Sequence, residues 1–395
     1  MDILHPDKII GFLTMRNEIP FTLPKRLFDS SSATTKTIIL KCVDCHAAGE
    51  PARVVLGGVP NFPEDCDTAL KKRSYMIEHM DHLRKILLLE PRGYPCQNAD
   101  FIFPAVTQGG NLQYVIAEQN RIYPLMSGHN TICVATALLE CGVIPMKEPR
   151  STFTLEAPAG PIEITAQCEG GRAKSIAFRN APSFVEKLDV IIDVPHGVGP
   201  IKLDIAYGGM WYAIVELTQL QEKSSFRHLT LDERHGKELC RLGEMIKVAC
   251  REQYPVEHPE QDYSGVDILA FRSEVDAGSN ATSRNVVIMS NNVLDWDKPE
   301  TWTAMIDRSP CGTGTCAIMA VLYARGKLAI GESFIHESIV SSQFIGKILQ
   351  EVTLSDGRKG ILPEIEGSAW ITQYSRVVAC PQDPFPEGYR VGDIW

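Results

Sequence analysis

The sequence has no long uninterrupted run of apolar residues. Charges recur through its first twenty positions, so this segment lacks the apolar stretch that a signal peptide or a membrane span requires. It also lacks a surplus of basic residues, since 39 Lys and Arg against 49 Asp and Glu give a net charge of -10. A negatively charged protein repels phosphate groups, so we expect no nucleic-acid and no membrane partner. These absences favour a cytoplasmic protein.

Cysteine is scarce for a disulfide scaffold, at 12 of 395 residues. Without a secretory signal we expect reduced thiols, most of them small buried hydrophobic residues. Cys42, Cys45 and His46 form the C-x-x-C-H pattern of c-type haem attachment. However, residues 37–41 indicate a strand rather than an attachment loop, and no second Cys or His pair completes a zinc site. A haem or redox protein is therefore the third reading, behind an enzyme and a binding protein.

The composition, with 44% hydrophobic and 22% charged residues, is that of an ordinary globular protein. Strand-like and helix-like segments alternate, which predicts a mixed α/β fold. We expect an N-terminal extension over residues 1–35, a first α/β domain over 36–205 and a second over 206–395, whose C-terminal part is a candidate to return to the first. The predicted strands are 37–42, 101–106, 114–117, 152–156, 162–165, 190–192, 286–290 and 352–354, and the predicted helices are 68–89, 131–140, 231–253 and 313–325.

Two of the predicted helices are apolar on nearly all sides, and each follows a turn that contains glycine. Ser127-Gly128-His129-Asn130-Thr131 precedes one helix, and Cys311-Gly312-Thr313-Gly314-Thr315 precedes the other. The first residues of these turns are 184 positions apart, which indicates two related halves rather than a short repeat. Gly142 and Gly326 close the two helices as expected for C-caps.

This pair of turns can hold an anion between two proton-transfer groups. A helix N-terminus offers unpaired N–H groups and a partial positive charge, so two opposed ends would clamp a carboxylate. The same field favours a thiolate, so the pKa of Cys311 is expected to fall below the free value of about 8.5. Ser127 occupies the equivalent position on the other turn. Groups on both faces of a bound carboxylate suit removal of its α-proton and return of a proton from the opposite side.

The alternative is that these turns have a purely structural role, because Gly-x-Gly before an apolar helix is common in proteins where it has no catalytic role. Neither turn is a dinucleotide fingerprint, which needs G-x-G-x-x-G, and Ser127 does not lie in a G-x-S-x-G nucleophile elbow.

Residues 307–315, Asp-Arg-Ser-Pro-Cys-Gly-Thr-Gly-Thr, resemble the signature of the proline racemase family, which includes hydroxyproline 2-epimerases and trans-3-hydroxy-L-proline dehydratases. Further blocks resemble family motifs in the same order, at residues 44–51, 90–93, 207–213 and several positions between 324 and 339. The resemblance covers about residues 37 to 380.

The resemblance implies two similar domains of mixed sheet, each around a central buried helix, as in diaminopimelate epimerase, with the active site in the crevice between them. It implies a small imino acid substrate, no cofactor and no metal, and it leaves assembly as a homodimer open. Mapped onto this chain, Ser127 and Cys311 are the catalytic pair and Asp307 holds the ring nitrogen. Four further residues are expected to line the substrate site: Gly128, His129, Gly312 and Thr313.

The catalytic pair departs from the common family patterns. Family racemases and most epimerases carry two cysteines, and the dehydratases commonly pair a first cysteine with a second threonine, whereas this chain has Ser127 and Cys311. A serine hydroxyl is a weak acid and needs help to act as a base, for which His129 is the candidate. We therefore expect a hydroxyproline enzyme that epimerises at C2, dehydrates trans-3-hydroxy-L-proline to pyrroline-2-carboxylate, or does both. The alternative is a non-catalytic protein of the same fold that binds proline derivatives.

The sequence also predicts roles for residues outside the two turns. Gln373 stands where glycine is usual in the family and is expected to narrow the site. Glu50 and Arg92 are candidates for a buried ion pair. The remaining residues are expected to pack or to hold local structure: Cys45, His46, Cys316, Trp211 and Tyr212, the last two with one face toward the ligand.

Overall fold

The computed structural model describes residues 37–105, 110–261, 263–275, 279–290 and 294–392. The predicted extension over residues 1–35 and the last residue of a predicted strand, Val106, lie outside these ranges. The described helices are α1 (Ala69–His79), α2 (Asp81–Leu88), α3 (Gly128–Glu140), α4 (Leu217–Gln221), α5 (Gly236–Gln253) and α6 (Gly312–Ala324). The described strands are β1 (Ile38–Ala47), β2 (Glu50–Gly57), β3 (Asn98–Phe103), β4 (Leu112–Ala117), β5 (Arg150–Ala157), β6 (Gly160–Glu169), β7 (Arg172–Arg179), β8 (Ser183–Val194), β9 (Gly199–Tyr207), β10 (Trp211–Glu216), β11 (Ile268–Ser273), β12 (Ser283–Ser290), β13 (Ala304–Asp307), β14 (Ser333–Glu337), β15 (Gln343–Thr353), β16 (Lys359–Gly367) and β17 (Ala369–Ala379).

The strands curve into two adjoining rings. The first runs in the order β17-β1-β2-β3-β4-β5-β6-β7. The second closes on itself in the order β8-β9-β10-β11-β12-β14-β15-β16, with β13 paired to β12. Strand β16 joins the rings because it pairs with β7 as well as β8.

Each ring repeats one connection scheme. In the first ring β2 runs parallel to β3 across α1 and α2, and β4 runs parallel to β5 across α3. In the second ring β10 runs parallel to β11 across α4 and α5, and β12 runs parallel to β14 across α6. Parallel neighbours need such crossovers, so the prediction of a mixed α/β fold built from two similar halves is confirmed.

The order of the chain does not follow the rings strictly. Strands β8 and β9 pair within the second ring, whereas β17, near the end of the chain, pairs with β1 in the first. The domain boundary at residue 205 stays a prediction, because strand pairing alone does not define a domain boundary.

The two apolar helices occupy the centres of the rings. Every residue of α3 from Gly128 to Leu139 is buried, as is every residue of α6 from Gly312 to Leu322, and both helices belong to one hydrophobic core. A helix that is apolar on all sides is stable only when it is enclosed in this way. Each ends before a glycine with positive φ, 69° at Gly142 and 67° at Gly326, as the sequence predicts.

The outer helices differ from the predictions in their limits. The single helix predicted over residues 68–89 is broken at Met80, whose φ of -127° and ψ of 15° separate α1 from α2. The helix predicted from residue 231 begins at Gly236, after a 3-10 turn that Asp232 caps by accepting the Arg234 N–H at 3.0 Å. Among the described helices, none is both long and apolar enough to span a membrane.

Candidate active site

The two central helices meet at their N-termini. A Cβ atom built on Gly128, the first residue of α3, would lie 2.8 Å from the Cα atom of Gly312, the first residue of α6. The reverse placement gives 2.9 Å. Side chains are not tolerated at such distances, so the close approach requires glycine on both sides. Neither helix has a side-chain hydrogen bond at its N-cap, so the unpaired N–H groups of both first turns lie at one junction.

A cavity of about 130 Å³ lies at this junction. Drug-sized ligands occupy sites of about 300–1,000 Å³, so this cavity suits a small molecule rather than a dinucleotide. Much of the wall is apolar, including the side chains of Met126, Met210, Met289 and Met305. All seven residues that the sequence predicts for the site line it: Ser127, Gly128, His129, Asp307, Cys311, Gly312 and Thr313.

Ser127 is the N-cap residue of α3 and has an extended backbone. Asn130 Nδ2 donates to Ser127 Oγ at 3.1 Å, and Nδ1 of His129 lies 3.3 Å from the same oxygen. The other ring nitrogen of His129, Nε2, lies 3.0 Å from Nδ2 of Asn98. An amide nitrogen can only donate, so Nε2 accepts and the neutral imidazole carries its hydrogen on Nδ1. Burial lowers the pKa of His129, against a smaller opposing effect of Asp307, which favours this neutral form.

Cys311 is the N-cap residue of α6 and has a φ of 62°. Its Sγ atom lies 3.2 Å from the Tyr212 hydroxyl and 3.7 Å from the Thr313 hydroxyl, and these two hydroxyls are 2.6 Å apart. Burial and the negative charge of Asp307 raise the pKa of the Cys311 thiol well above its ordinary value. The expected lowering of this pKa is therefore wrong, because desolvation outweighs the field of the helix N-terminus.

Asp307 ends β13 beside this turn. Its Oδ1 atom accepts the N–H and the hydroxyl of Ser309, both at 2.8 Å, which leaves Oδ2 for a ligand. The first half of the molecule secures this segment through Glu50, which accepts the Arg308 N–H at 2.7 Å. The site is thus assembled from both halves, and the segment that carries Asp307 is fixed across their junction.

Residues 42–390 match the family described as proline racemase. The chain belongs to the proline racemase family. The 4-hydroxyproline 2-epimerase of Rhizobium etli is 37% identical over 358 residues, which cover 90% of this chain and 96% of that protein. The 4-hydroxyproline 2-epimerase 1 of Rhizobium rhizogenes is 36% identical over 360 residues, with the same two coverages.

A solved structure of a family relative is also similar. The crystal structure of a hydroxyproline epimerase from Agrobacterium vitis, with bound trans-4-hydroxy-L-proline, superimposes with a TM-score of 0.77 at 33% identity. The match covers 91% of this chain and 97% of that one. The predicted resemblance to the proline racemase family is thus confirmed by sequence and by fold.

Several residues that line the cavity escape the sequence predictions. Asn98, at the start of β3, contacts His129 as described above. Glu118, directly after β4, and Asp267, directly before β11, also line the cavity. A signal existed for Glu118, since it is a carboxylate that follows the predicted strand 114–117. Binding residues commonly lie in loops that a rigid sheet positions.

Two predicted details are wrong. Gln373 does not line the cavity between the helices; its Nε2 donates to Asp44 Oδ2 at 2.7 Å, and it borders a separate depression next to Arg53. This site therefore is not narrowed by Gln373. Glu50 and Arg92 form no ion pair, because Arg92 pairs with Asp383 whereas Glu50 accepts from the backbone of Arg308.

The remaining predicted residues fall outside the site or support it. Cys42 and Cys45 are buried within β1, where haem attachment is sterically excluded, and the His46 ring stacks on Trp370. Tyr212 reaches the cavity, but its neighbour Trp211 is fully buried and does not. Among the described residues, the group whose ligand atoms come close enough for a metal consists of His228, His235 and Glu238, and none of them lines the cavity. Cys316 is buried in α6 and packs beside Asn180.

Proposed function

We propose that this protein catalyses cofactor-independent proton transfer at C2 of a proline-type imino acid, as a hydroxyproline 2-epimerase. The observation that carries the proposal is the junction of the two helices, where Ser127 and Cys311 line one small cavity from different halves of the molecule. The names and sequence identity of the curated relatives support hydroxyproline as the substrate class.

The substrate carboxylate is assigned to the junction of Gly128 and Gly312. Free N–H groups and the positive ends of two helix dipoles favour an anion there. When the C2 proton leaves, negative charge spreads onto this carboxylate, and the same groups then bind the transition state more strongly than the ground state. The free Oδ2 atom of Asp307 is assigned to the ring ammonium, and in this proposed binding mode C2 faces the two proposed catalytic side chains, which line the same cavity.

Cys311 is assigned as the base. Tyr212 and Thr313 can both donate hydrogen bonds to a thiolate at Sγ. A bound ammonium also neutralises the charge of Asp307, and that charge is one of the two causes that hold the thiol pKa high. Substrate binding therefore favours the thiolate form of Cys311, which acts as the base: its sulfur takes the C2 proton and the C–H electron pair stays on the substrate.

Ser127 is assigned as the acid that returns a proton on the opposite face. Its oxygen accepts from Asn130 and from Nδ1 of His129, so its own hydrogen is free to point elsewhere and an alkoxide at Oγ would be stabilised. In this tautomer His129 donates a hydrogen bond to Ser127. It therefore cannot accept the Ser127 proton and help the serine to act as a base, as the sequence suggested. The hydrogen bonding favours donation by Ser127 over abstraction.

Dehydration of trans-3-hydroxy-L-proline is a second candidate, favoured by the serine at the first position. Elimination needs a base on one face only: Cys311 takes the C2 proton, the C2–H electron pair forms the C2–C3 double bond, and the C3–O bond breaks. The departing hydroxyl takes a proton from an acid in the site and leaves as water. A non-catalytic binding protein of the same fold is the remaining alternative.

One experiment separates these functions. The protein is incubated in heavy water with L-proline, trans-4-hydroxy-L-proline and trans-3-hydroxy-L-proline, and C2 deuteration, C2 stereochemistry and pyrroline-2-carboxylate are measured together. Deuteration with inversion of trans-4-hydroxy-L-proline is the expected result. Pyrroline formation from the 3-hydroxy substrate would establish the second candidate. No exchange in any substrate would contradict the proposal and leave a binding protein.

A further inference from the structure

The polar groups in the cavity wall can be sorted by whether they already have a partner. Glu118 lines the cavity, and no described residue makes a hydrogen bond or ion pair with its carboxyl group. Within the same part of the chain, each other nitrogen- or oxygen-bearing side chain of the wall has a partner: Asn98, Gln119, Ser127, His129, Tyr212, Asp267, Asp307 and Thr313. Among these described wall residues, Glu118 therefore has both carboxyl oxygens open to a ligand, whereas Asp307 has only Oδ2.

The backbone holds Glu118 rigidly at this place. Its N–H donates to the Ile122 carbonyl at 2.8 Å, across a 3-10 turn in which Asn120 and Arg121 have φ values of 58° and 61°. The Gln119 amide secures the turn by donating to the Leu88 carbonyl at 3.0 Å. Two successive non-glycine residues with positive φ are costly, and such strain persists where the surroundings fix a functional position.

The charge state of Glu118 suits a neutral partner. Burial, and secondly the negative charge of Asp307, raise the pKa of Glu118 to about 8. Burial, the larger cause, persists when a substrate ammonium neutralises Asp307, so the protonated acid, which donates through O–H and accepts through its carbonyl oxygen, stays favoured relative to a free glutamate. A protonated acid is a poor partner for an ammonium group, which Asp307 is placed to hold, and a good partner for an alcohol.

We propose that the Glu118 carboxyl group hydrogen bonds to the ring hydroxyl of the substrate and makes the protein prefer hydroxylated prolines to proline. The inference rests on the proposed function and names the residue that selects its substrate class. Besides the polar groups already named, the wall offers mainly thioether and aliphatic groups, including Met210, Met289, Met305 and Ile268. A hydroxyl without Glu118 would be buried unpaired, which is unfavourable. When proline binds, the Glu118 carboxyl group itself stays unpaired. The site therefore discriminates between hydroxylated prolines and proline.

The test uses two substitutions that differ in hydrogen bonding. Glu118→Leu keeps the approximate size but neither donates nor accepts, whereas Glu118→Gln donates and accepts without ionising. We expect Glu118→Leu to lower kcat/KM for trans-4-hydroxy-L-proline at least about tenfold, while the rate of C2 exchange in L-proline stays the same or rises, because no carboxyl group is then left unpaired. Glu118→Gln should keep most of the preference. Glu163→Leu, at an exposed position of β6, is the matched control and should change neither rate.

Other outcomes overturn the inference. If both variants lose activity equally on L-proline and on hydroxyproline, Glu118 contacts the substrate amine or stabilises the fold, and it does not recognise the ring hydroxyl. Unchanged preference in Glu118→Leu also contradicts it. If Glu118→Leu does not fold, Glu118→Ala replaces it. If the unmodified protein exchanges no C2 hydrogen at all, the proposed function fails by itself. Calorimetric binding of trans-4-hydroxy-L-proline and L-proline to the same variants then still tests Glu118.

Discussion

The turn before α3 and the turn before α6 hold their helices with the same bonds. Thr131 Oγ1 donates to the Ser127 carbonyl at 2.7 Å, and Thr315 Oγ1 donates to the Cys311 carbonyl at the same distance. Each threonine hydroxyl also has a buried side-chain partner, the Tyr114 hydroxyl at 2.7 Å in the first half and Nδ1 of His336 at 2.8 Å in the second. The same hydrogen-bonding arrangement therefore supports both turns.

The residues at the head of each turn nevertheless differ in backbone conformation. Ser127 has φ -145° and ψ 133°, which any residue adopts, whereas Cys311 has φ 62° and ψ 111°, which is costly for a side chain with a Cβ atom. Two bonds hold the second turn in this state: the Cys311 N–H donates to Ser309 Oγ, and Asn285 donates to the Pro310 carbonyl. Of the two N-cap residues, the one with the strained backbone is therefore the one that carries the thiol.

The side-chain surroundings of the two residues differ in a way that fits the opposite tasks proposed for them. Ser127 Oγ receives nitrogen donors, whereas Cys311 Sγ lies beside the hydroxyls of Tyr212 and Thr313. Two turns with the same scaffold can therefore hold chemically different groups, one suited to act as an acid and the other as a base. A pair of equivalent thiols would not differ in this way. What distinguishes the halves is the residue at the N-cap and the atoms within hydrogen-bond distance of it, so substitutions at these positions test the comparison directly.

The largest effect is expected for Cys311→Ala. Without the base, deuterium exchange at C2 should fall at least about 10³-fold for all three imino acids. Cys316→Ala is the matched control, because Cys316 is also buried in α6 but lies outside the cavity. Full exchange activity in Cys311→Ala would contradict the assignment of the base.

The second-largest effect is expected for substitutions at the junction of the two central helices. In Gly128→Ala or Gly312→Ala the new methyl group would lie under 3 Å from the opposite backbone, so the helices must separate. A shift of about 1 Å at a reacting centre costs about 100-fold in rate, and we expect C2 exchange to fall by this order. Gly236→Ala is the control, since Gly236 also begins a helix but has its nearest neighbour at 3.5 Å. Equal rates in all three variants would argue against carboxylate binding at the junction.

The sequence is sufficient to identify the two turns that line the cavity because their signals are local. An apolar helix, a glycine at its first turn and a polar residue before it identify Ser127 and Cys311 without any knowledge of distant contacts. The family resemblance then brought the two turns together, and it supplied the fold and the position of Asp307.

The remaining parts of the site depend on distant contacts that spacing does not reveal. Asn98 sets the His129 tautomer from 31 positions away, and Glu118 reaches the wall through a turn with unusual φ values. The raised pKa of Cys311 follows from burial, which a sequence does not specify at this position. Gln373 was misassigned for the same reason, because its partner Asp44 lies on a neighbouring strand of the first ring.

The smallest effect is expected for Ser127→Cys, which removes the chemical difference between the half-sites. The backbone at this position is relaxed, and the nitrogen donors of Asn130 and His129 would then face a thiol, whose anion forms far more readily than an alkoxide. Proton transfer on the first face becomes easier in both directions, so racemisation of L-proline should rise by about tenfold, equivalent to about 1.4 kcal/mol of barrier. Polarimetry of both proline enantiomers measures this rise, and Ser127→Ala should show a loss instead. A rate unchanged in both variants would mean that Ser127 transfers no proton, and the asymmetry between the turns would then have a structural origin alone.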